Sequence, residues 1–216
     1  MATVLEREPD LTLADLFERF GPMPAARIRM VPRPGTATVQ DVLAIHRREK
    51  RLCELVDGIL VEKAMGYEES MVALVIGTLL QNFVGPRKLG VLAGEGGMLE
   101  LCPGLVRIPD ISFISRSRLP GGRPPREPVP GLAPNLAVEV ISKSNTEREM
   151  ARKLDDFFET GVELVWYVYP VTRTVKVFTS PVKYSTLKGT QMLSGGSVVP
   201  GFKVKLAEIF SVLDEF

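Results

Sequence analysis

The sequence is poor in the residues on which the commonest catalytic and metal centres rest. It holds one histidine, His46, in 216 residues and no G-x-S-x-G segment, so serine-histidine hydrolysis finds little support. The two cysteines, Cys53 and Cys102, stand far apart with no C-x-x-C, which speaks against a disulfide framework and a structural zinc site and fits a reducing cytoplasm. An excess of either charge is lacking too. With 27 Lys and Arg against 26 Asp and Glu the net charge is +1, so any site for a polyanion must be local. The longest apolar run, Met71 to Leu80, falls short of the roughly 20 residues needed to cross a bilayer. Early acids (Glu6, Glu8, Asp10) replace the apolar core of a secretory signal, and no membrane partner is expected. Dinucleotide and Walker fingerprints are missing, and Gly94-Glu95-Gly96-Gly97, with no helix signal after it, reads as a plain turn. Carboxylates and lysine remain as candidates for chemistry.

What is present is a pair of apolar segments, each interrupted by one acid. Leu136-Ala137-Val138-Glu139-Val140-Ile141-Ser142 is opened by Pro134-Asn135 and closed by a polar cluster, as a β-strand would be. Its period of two places Glu139 on one face with Ala137 and Ile141, and Leu136, Val138 and Val140 on the other. Val106 to Ile114 reads as a second strand, with Asp110 inside it. An ionised carboxylate buried alone is strongly unfavourable, so two strands that each carry one inward acid point to a shared cation. For two carboxylates the fitting ion is a hard one such as Mg²⁺.

The rest of the chain describes an α/β domain with a mixed sheet and packed helices. Leu11 to Phe20 predicts a short helix capped by Thr12 and Asp15, broken by Gly21-Pro22-Met23-Pro24. A second break at Val31-Pro32-Arg33-Pro34-Gly35 marks residues 1–35 as an N-terminal appendage and 36–216 as the domain. A helix from Val39, capped by Thr38, precedes a hairpin turning at Asp57-Gly58. Glu68 to Val84 predicts a helix ended by Gly85-Pro86. Arg116 to Pro130 reads as a long loop with four arginines. Thr146-x-x-Glu149 starts a helix to about Thr160, and the unit from Leu136 to Tyr169 is expected to be a parallel crossover. On that helix Lys153 borders the apolar stripe of Met150, Leu154 and Phe157; its stem is buried, and its ammonium either reaches solvent or turns inward. Turned inward beside Asp110 and Glu139, it would complete the outline of a phosphodiester hydrolysis site.

Several stretches in order carry a family resemblance: Glu54-Leu55-Val56-Asp57-Gly58, Arg107-Ile108-Pro109-Asp110-Ile111-Ser112-Phe113, Asn135 to Ser142, Lys153-Leu154, Gly161-Val162-Glu163-Leu164-Val165-Trp166 and Pro200-Gly201-Phe202. The chain from about residue 50 to 210 resembles the Uma-two family of restriction-endonuclease-like proteins. The resemblance implies a PD-(D/E)xK nuclease fold, a mixed central sheet flanked by helices, using Mg²⁺ or Mn²⁺ on DNA. It makes Asp110 the first acid and Glu139 the second. The lysine expected two residues after Glu139 is replaced by Ile141, and the resemblance moves its role to Lys153. It also adds Glu69, on an early helix, as an accessory acid. Cutting a duplex needs two scissions, which suits a homodimer. The competing expectation is a nucleic-acid-binding or protein-interaction module that keeps the fold without turnover.

Overall fold

The hairpin at Asp57-Gly58 organises the first half of the chain. In a computed structural model, which describes residues 11–64 and 66–214, both turn residues take positive φ (50° and 69°) and join β1 (Cys53–Val56) to β2 (Ile59–Glu62). A side chain at Gly58 would meet the carbonyl carbon and oxygen of Gly35, each 2.5 Å from its Cβ, so only glycine fits there. The acids Glu6, Glu8 and Asp10 lie outside the described residues.

The strands that follow are β3 (Gly90–Ala93), β4 (Leu99–Cys102), β5 (Leu105–Arg107), β6 (Ile111–Ser115), β7 (Leu136–Val140), β8 (Leu164–Tyr169), β9 (Thr174–Ser180), β10 (Lys183–Lys188), β11 (Met192–Ser194) and β12 (Lys203–Lys205). They form a four-stranded sheet in the order β2-β1-β5-β4, a six-stranded sheet in the order β10-β9-β8-β7-β6-β3, and the pair β11-β12. In the six-stranded sheet β7 and β8 run parallel and every other neighbouring pair is antiparallel, a mixed sheet. The helices are α1 (Leu13–Phe20), α2 (Val39–Glu49), α3 (Tyr67–Arg87), α4 (Glu147–Glu159) and α5 (Leu206–Phe210).

Packing follows the alternation of β7. Leu136, Val138 and Val140 join one core with Val72, Ile76, Leu80 and Val84 of α3. Ala137 faces the other way, into a core with Met150, Leu154 and Phe157 of α4, and the period of two puts Glu139 on that side. Helices thus cover both faces of the sheet. Each fully buried Leu, Val or Phe in these layers contributes about 1.5–3 kcal/mol relative to exposure.

Two elements depart from the sequence reading. The stretch Val106 to Ile114 is two strands: β5 ends at Arg107, β6 begins at Ile111, and they belong to different sheets. Pro109 has no N–H to offer a ladder, and the N–H of Ile108 is drawn aside to Glu54 Oε1 at 3.0 Å. Helix α3 also runs through Gly85-Pro86 instead of stopping there. Pro86 lies in its last turn, where it costs a single backbone bond, and Lys88 (φ 53°) closes the helix by donating to Gly85 O at 3.0 Å.

The described part of residues 1–35 packs against the hairpin. Leu16, Phe20, Met23 and Ile28 form a cluster with Val56, Ile59 and Val61, and Arg29 N–H donates to Leu60 O at 2.9 Å. The cap foreseen for α1 is present, with Asp15 accepting from Thr12 N–H at 2.7 Å.

Candidate active site

The break between β5 and β6 places Asp110 where the chain passes from one sheet to the other. In the antiparallel register Ile111 faces Val138, so Asp110 lies one step further along, beside Glu139. Asp110 Oδ2 accepts from Val140 N–H at 2.6 Å, and Oδ1 stands 2.7 Å from Lys63 Nζ. Lys63 follows the end of β2 and donates to Ile108 O at 2.5 Å.

Glu139 is balanced from the opposite side. Lys153 Nζ lies 2.9 Å from Glu139 Oε1 and 2.9 Å from Glu54 Oε1. Its ammonium is turned inward, the residue only 4% exposed, so the solvent-reaching alternative is not the one adopted. Glu54, on β1, is held in turn by Arg107 Nη1 at 2.7 Å, and Arg107 Nε donates to Asp156 Oδ2 at 3.0 Å. Helix α4 supplies Glu149, Lys153 and Asp156 from adjacent turns of its inner side, and Glu149 closes a two-pronged pair with Arg27 (3.0 and 2.6 Å).

The electrostatics of this cluster are uneven. Burial pushes the Glu54 carboxyl up, but Lys153 and Arg107 outweigh that and hold it down at about 2. Glu139 shares Lys153 with Glu54 and faces Asp110. Burial, opposed by Lys153 and reinforced by Asp110, leaves its carboxyl raised to about 7. Although Lys153 Nζ is within ion-pair distance, Glu139 Oε1 has no aligned hydrogen-bond donor among the described residues. A buried carboxylate oxygen short of a donor, next to a second carboxylate, is a donor set that fits a hard divalent cation.

Glu69 is placed elsewhere. It lies in the first turn of α3, its carboxylate folded back so that a Cβ on Gly66 would meet Oε2 at 2.1 Å. Among the described residues no group of three or more His, Cys, Asp or Glu gathers closely enough to hold an ion, so Glu69 is not drawn in with Asp110 and Glu139. A groove of about 560 Å³ is lined by residues of α3 and β3 together with Asp110 and Ile111; none of its lining residues is a lysine or arginine. Of the loop arginines, Arg118 is committed internally, to Pro134 O and Gly161 O at 2.9 Å each and to Glu163 at 2.8 Å.

Sequence reasoning overlooked Glu54, Lys63 and Arg107 as members of this centre. Glu54 and Arg107 carry the same sign that exposed Glu139, a lone charge within an apolar strand. Lys63 carries none, because it stands just past a strand end.

Comparison with known proteins agrees with this architecture. No curated protein matches the chain. Among solved structures, the crystal structure of "a putative nuclease belonging to DUF820" from Anabaena variabilis superposes with a TM-score of 0.66 at 18% identity, covering 76% of this chain and 92% of that one. At that identity the likeness establishes the restriction-endonuclease-like fold. The family model Uma2, described as "Putative restriction endonuclease", matches residues 39–207, and the chain belongs to that family.

Proposed function

We propose that the protein is a metal-dependent DNA endonuclease that hydrolyses phosphodiester bonds at the Asp110–Glu139 centre. Its family points to a nuclease. The observation that carries the reading is the meeting of Asp110, just before β6, and Glu139, on the neighbouring β7, with Lys63 and Lys153 beside them in one buried cluster. Asp110 and Glu139 are the residues that would hold Mg²⁺ or Mn²⁺; when bound, such an ion supplies charge to a phosphoryl oxygen and lowers the pKa of a water. Lys153 orients Glu139 and offsets negative charge there. In the ion-free protein burial raises the Glu139 carboxyl to about 7; a bound ion would lower it, so Glu139 would serve the ion as an ionised ligand. Glu69 enters the proposal through the family resemblance alone and needs its own test. Cutting both strands of a duplex calls for two such centres, for which we propose a homodimer.

The cytoplasm is the compartment we propose: Cys53 and Cys102 are both free, and among the described residues no helix is long and apolar enough to cross a membrane.

One observation favours a second reading, a nucleic-acid-binding or interaction module without turnover: Asp110, Glu139 and Lys153 are each already engaged by internal partners. Supercoiled plasmid incubated with the protein and Mg²⁺, Mn²⁺ or EDTA separates the two. Nicking that needs the ion and is lost in Asp110→Asn supports the endonuclease. Binding without nicking under every condition, by a folded protein, supports the module.

A further inference from the structure

Lys63 has no role in the chemistry proposed above, yet among the described residues it is the cation paired with Asp110. Its backbone is anchored, Lys63 N–H donating to Leu52 O at 2.9 Å, while its ammonium rests on Ile108 O and Asp110 Oδ1. The other Asp110 oxygen is taken by Val140 N–H, a donor that cannot leave without disturbing the end of β7. Both oxygens of the carboxylate are therefore spoken for, and only one of the two partners is able to move away. Lysine is the side chain for that: a compact charge on a flexible four-carbon stem, with no rigid fork to dismantle. Lys153 differs, because it is clamped between two carboxylates, Glu54 and Glu139, and has reason to stay.

We propose that Lys63 is a built-in competitor for the divalent-ion site, its ammonium holding Asp110 Oδ1 until an ion arrives and releasing it on loading. This rests on the ion site of the nuclease reading. Lys63 supplies, in the ion-free protein, the positive charge that keeps Asp110 and Glu139 compatible as buried neighbours. It makes ion binding an exchange of one cation for another, so affinity is set by the difference between the two. Entry of the ion costs the Lys63–Asp110 contact, and departure of the ion restores it.

The test reads ion binding directly, without nucleic acid, from the free Mn²⁺ signal in electron paramagnetic resonance of the full chain. Lys63→Met removes the competitor and is expected to bind Mn²⁺ at least about tenfold more tightly than the wild type, since the ion no longer has to displace a like charge from Asp110. Lys63→Arg keeps the charge and is expected to bind no more tightly than the wild type. In parallel, the wild type is acetylated with acetic anhydride with and without saturating Mn²⁺ and its lysines followed by peptide mass spectrometry. Lys63 labelling should rise on loading while Lys153 stays protected. If Lys63→Met binds Mn²⁺ equally or more weakly while Asp110→Asn loses it, the ion site stands and Lys63 is no competitor. Should Lys63→Met fail to fold, unchanged Lys63 labelling at saturating Mn²⁺ overturns the proposal by itself. Absence of Mn²⁺ binding by wild type and variants alike overturns the proposal together with the ion site.

Discussion

Lys153 Nζ and Glu54 Oε1 stand 2.9 Å apart, one on the helix packed against the six-stranded sheet and the other on the hairpin of the four-stranded sheet, both almost wholly buried. The pair ties the two sheets together at the point where the proposed chemistry occurs. Lys153 is therefore a structural cation as well as a proposed member of the reaction centre, and the two roles give different experiments.

Removing the ammonium leaves Glu54 and Glu139 short of a counter-charge in a buried site. Lys153→Met is expected to lower stability by roughly 3–5 kcal/mol, the usual cost of orphaning a buried ionic partner. Adding Glu54→Gln should recover part of the loss. Urea melts check this, and nicking by Lys153→Met should be assayed well below its midpoint. A loss under about 1 kcal/mol, on the scale of an exposed pair, would mean that Lys153 carries no structural charge.

The pH dependence of the ion-free protein follows from two shifts of opposite sign. Glu139 is raised from 4.5 to about 7, so the native state holds its proton more tightly than the unfolded chain. Its contribution is whole below pH ~4.5 and is lost as pH rises towards 7. Glu54 is lowered to about 2, so its contribution is present above pH ~4.5 and lost as pH falls towards 2. Thermal melts in EDTA should show greatest stability where these windows meet, at pH ~4.5. Glu139→Gln should flatten the decline from pH 4.5 to 7 and be more stable than the wild type at pH 7.5, by about 3 kcal/mol. An unchanged profile in Glu139→Gln would assign the titration to another group.

Ion dependence distinguishes Asp110 from Glu69. Mn²⁺ should raise the melting temperature of the wild type by mass action, and Asp110→Asn should lose that rise. Glu69→Gln should keep it within about twofold in apparent affinity, because Glu69 folds back over Gly66, apart from the other two acids. Differential scanning fluorimetry across a Mn²⁺ titration reads both variants, and loss of the rise in Glu69→Gln would bring Glu69 into the ion site.

Arg27 and Glu149 form a buried two-pronged pair that pins the N-terminal segment to α4. Arg27→Ala is expected to cost about 3 kcal/mol, since it strands a buried carboxylate. Cleavage by trypsin within residues 11–35 should accelerate in that variant. A double-mutant cycle with Glu149→Ala should return a coupling above about 1 kcal/mol; additive losses would mean that the pair does not hold the segment.

Much of the scaffold was legible because local chemistry decides it. Asp57-Gly58 forces a tight turn, Thr12 with Asp15 and Thr146 with Glu149 start helices, and the alternation of β7 sorts its faces. Asp110, Glu139 and Lys153 were legible because a charge within or beside an apolar run needs a reason. Two matters were not. The break at Pro109 sends β5 and β6 to separate sheets, a choice fixed by what Glu54 offers to Ile108 from another strand. Lys63 follows the same logic, since the partner that gives it meaning, Asp110, is brought to it only by the fold.

The crossing at Ile108-Pro109-Asp110 places the acids along the boundary between the two sheets. Glu54 and Lys63 travel with the hairpin side, Asp110 and Glu139 with the six-stranded side. A slip of one ångström along that boundary would stretch the Lys63–Asp110 and Lys153–Glu54 contacts together, both of them 2.9 Å or shorter. The charge balance at the acids thus depends on where the hairpin sits against the six-stranded sheet, and anything that stiffens the hairpin would hold it constant.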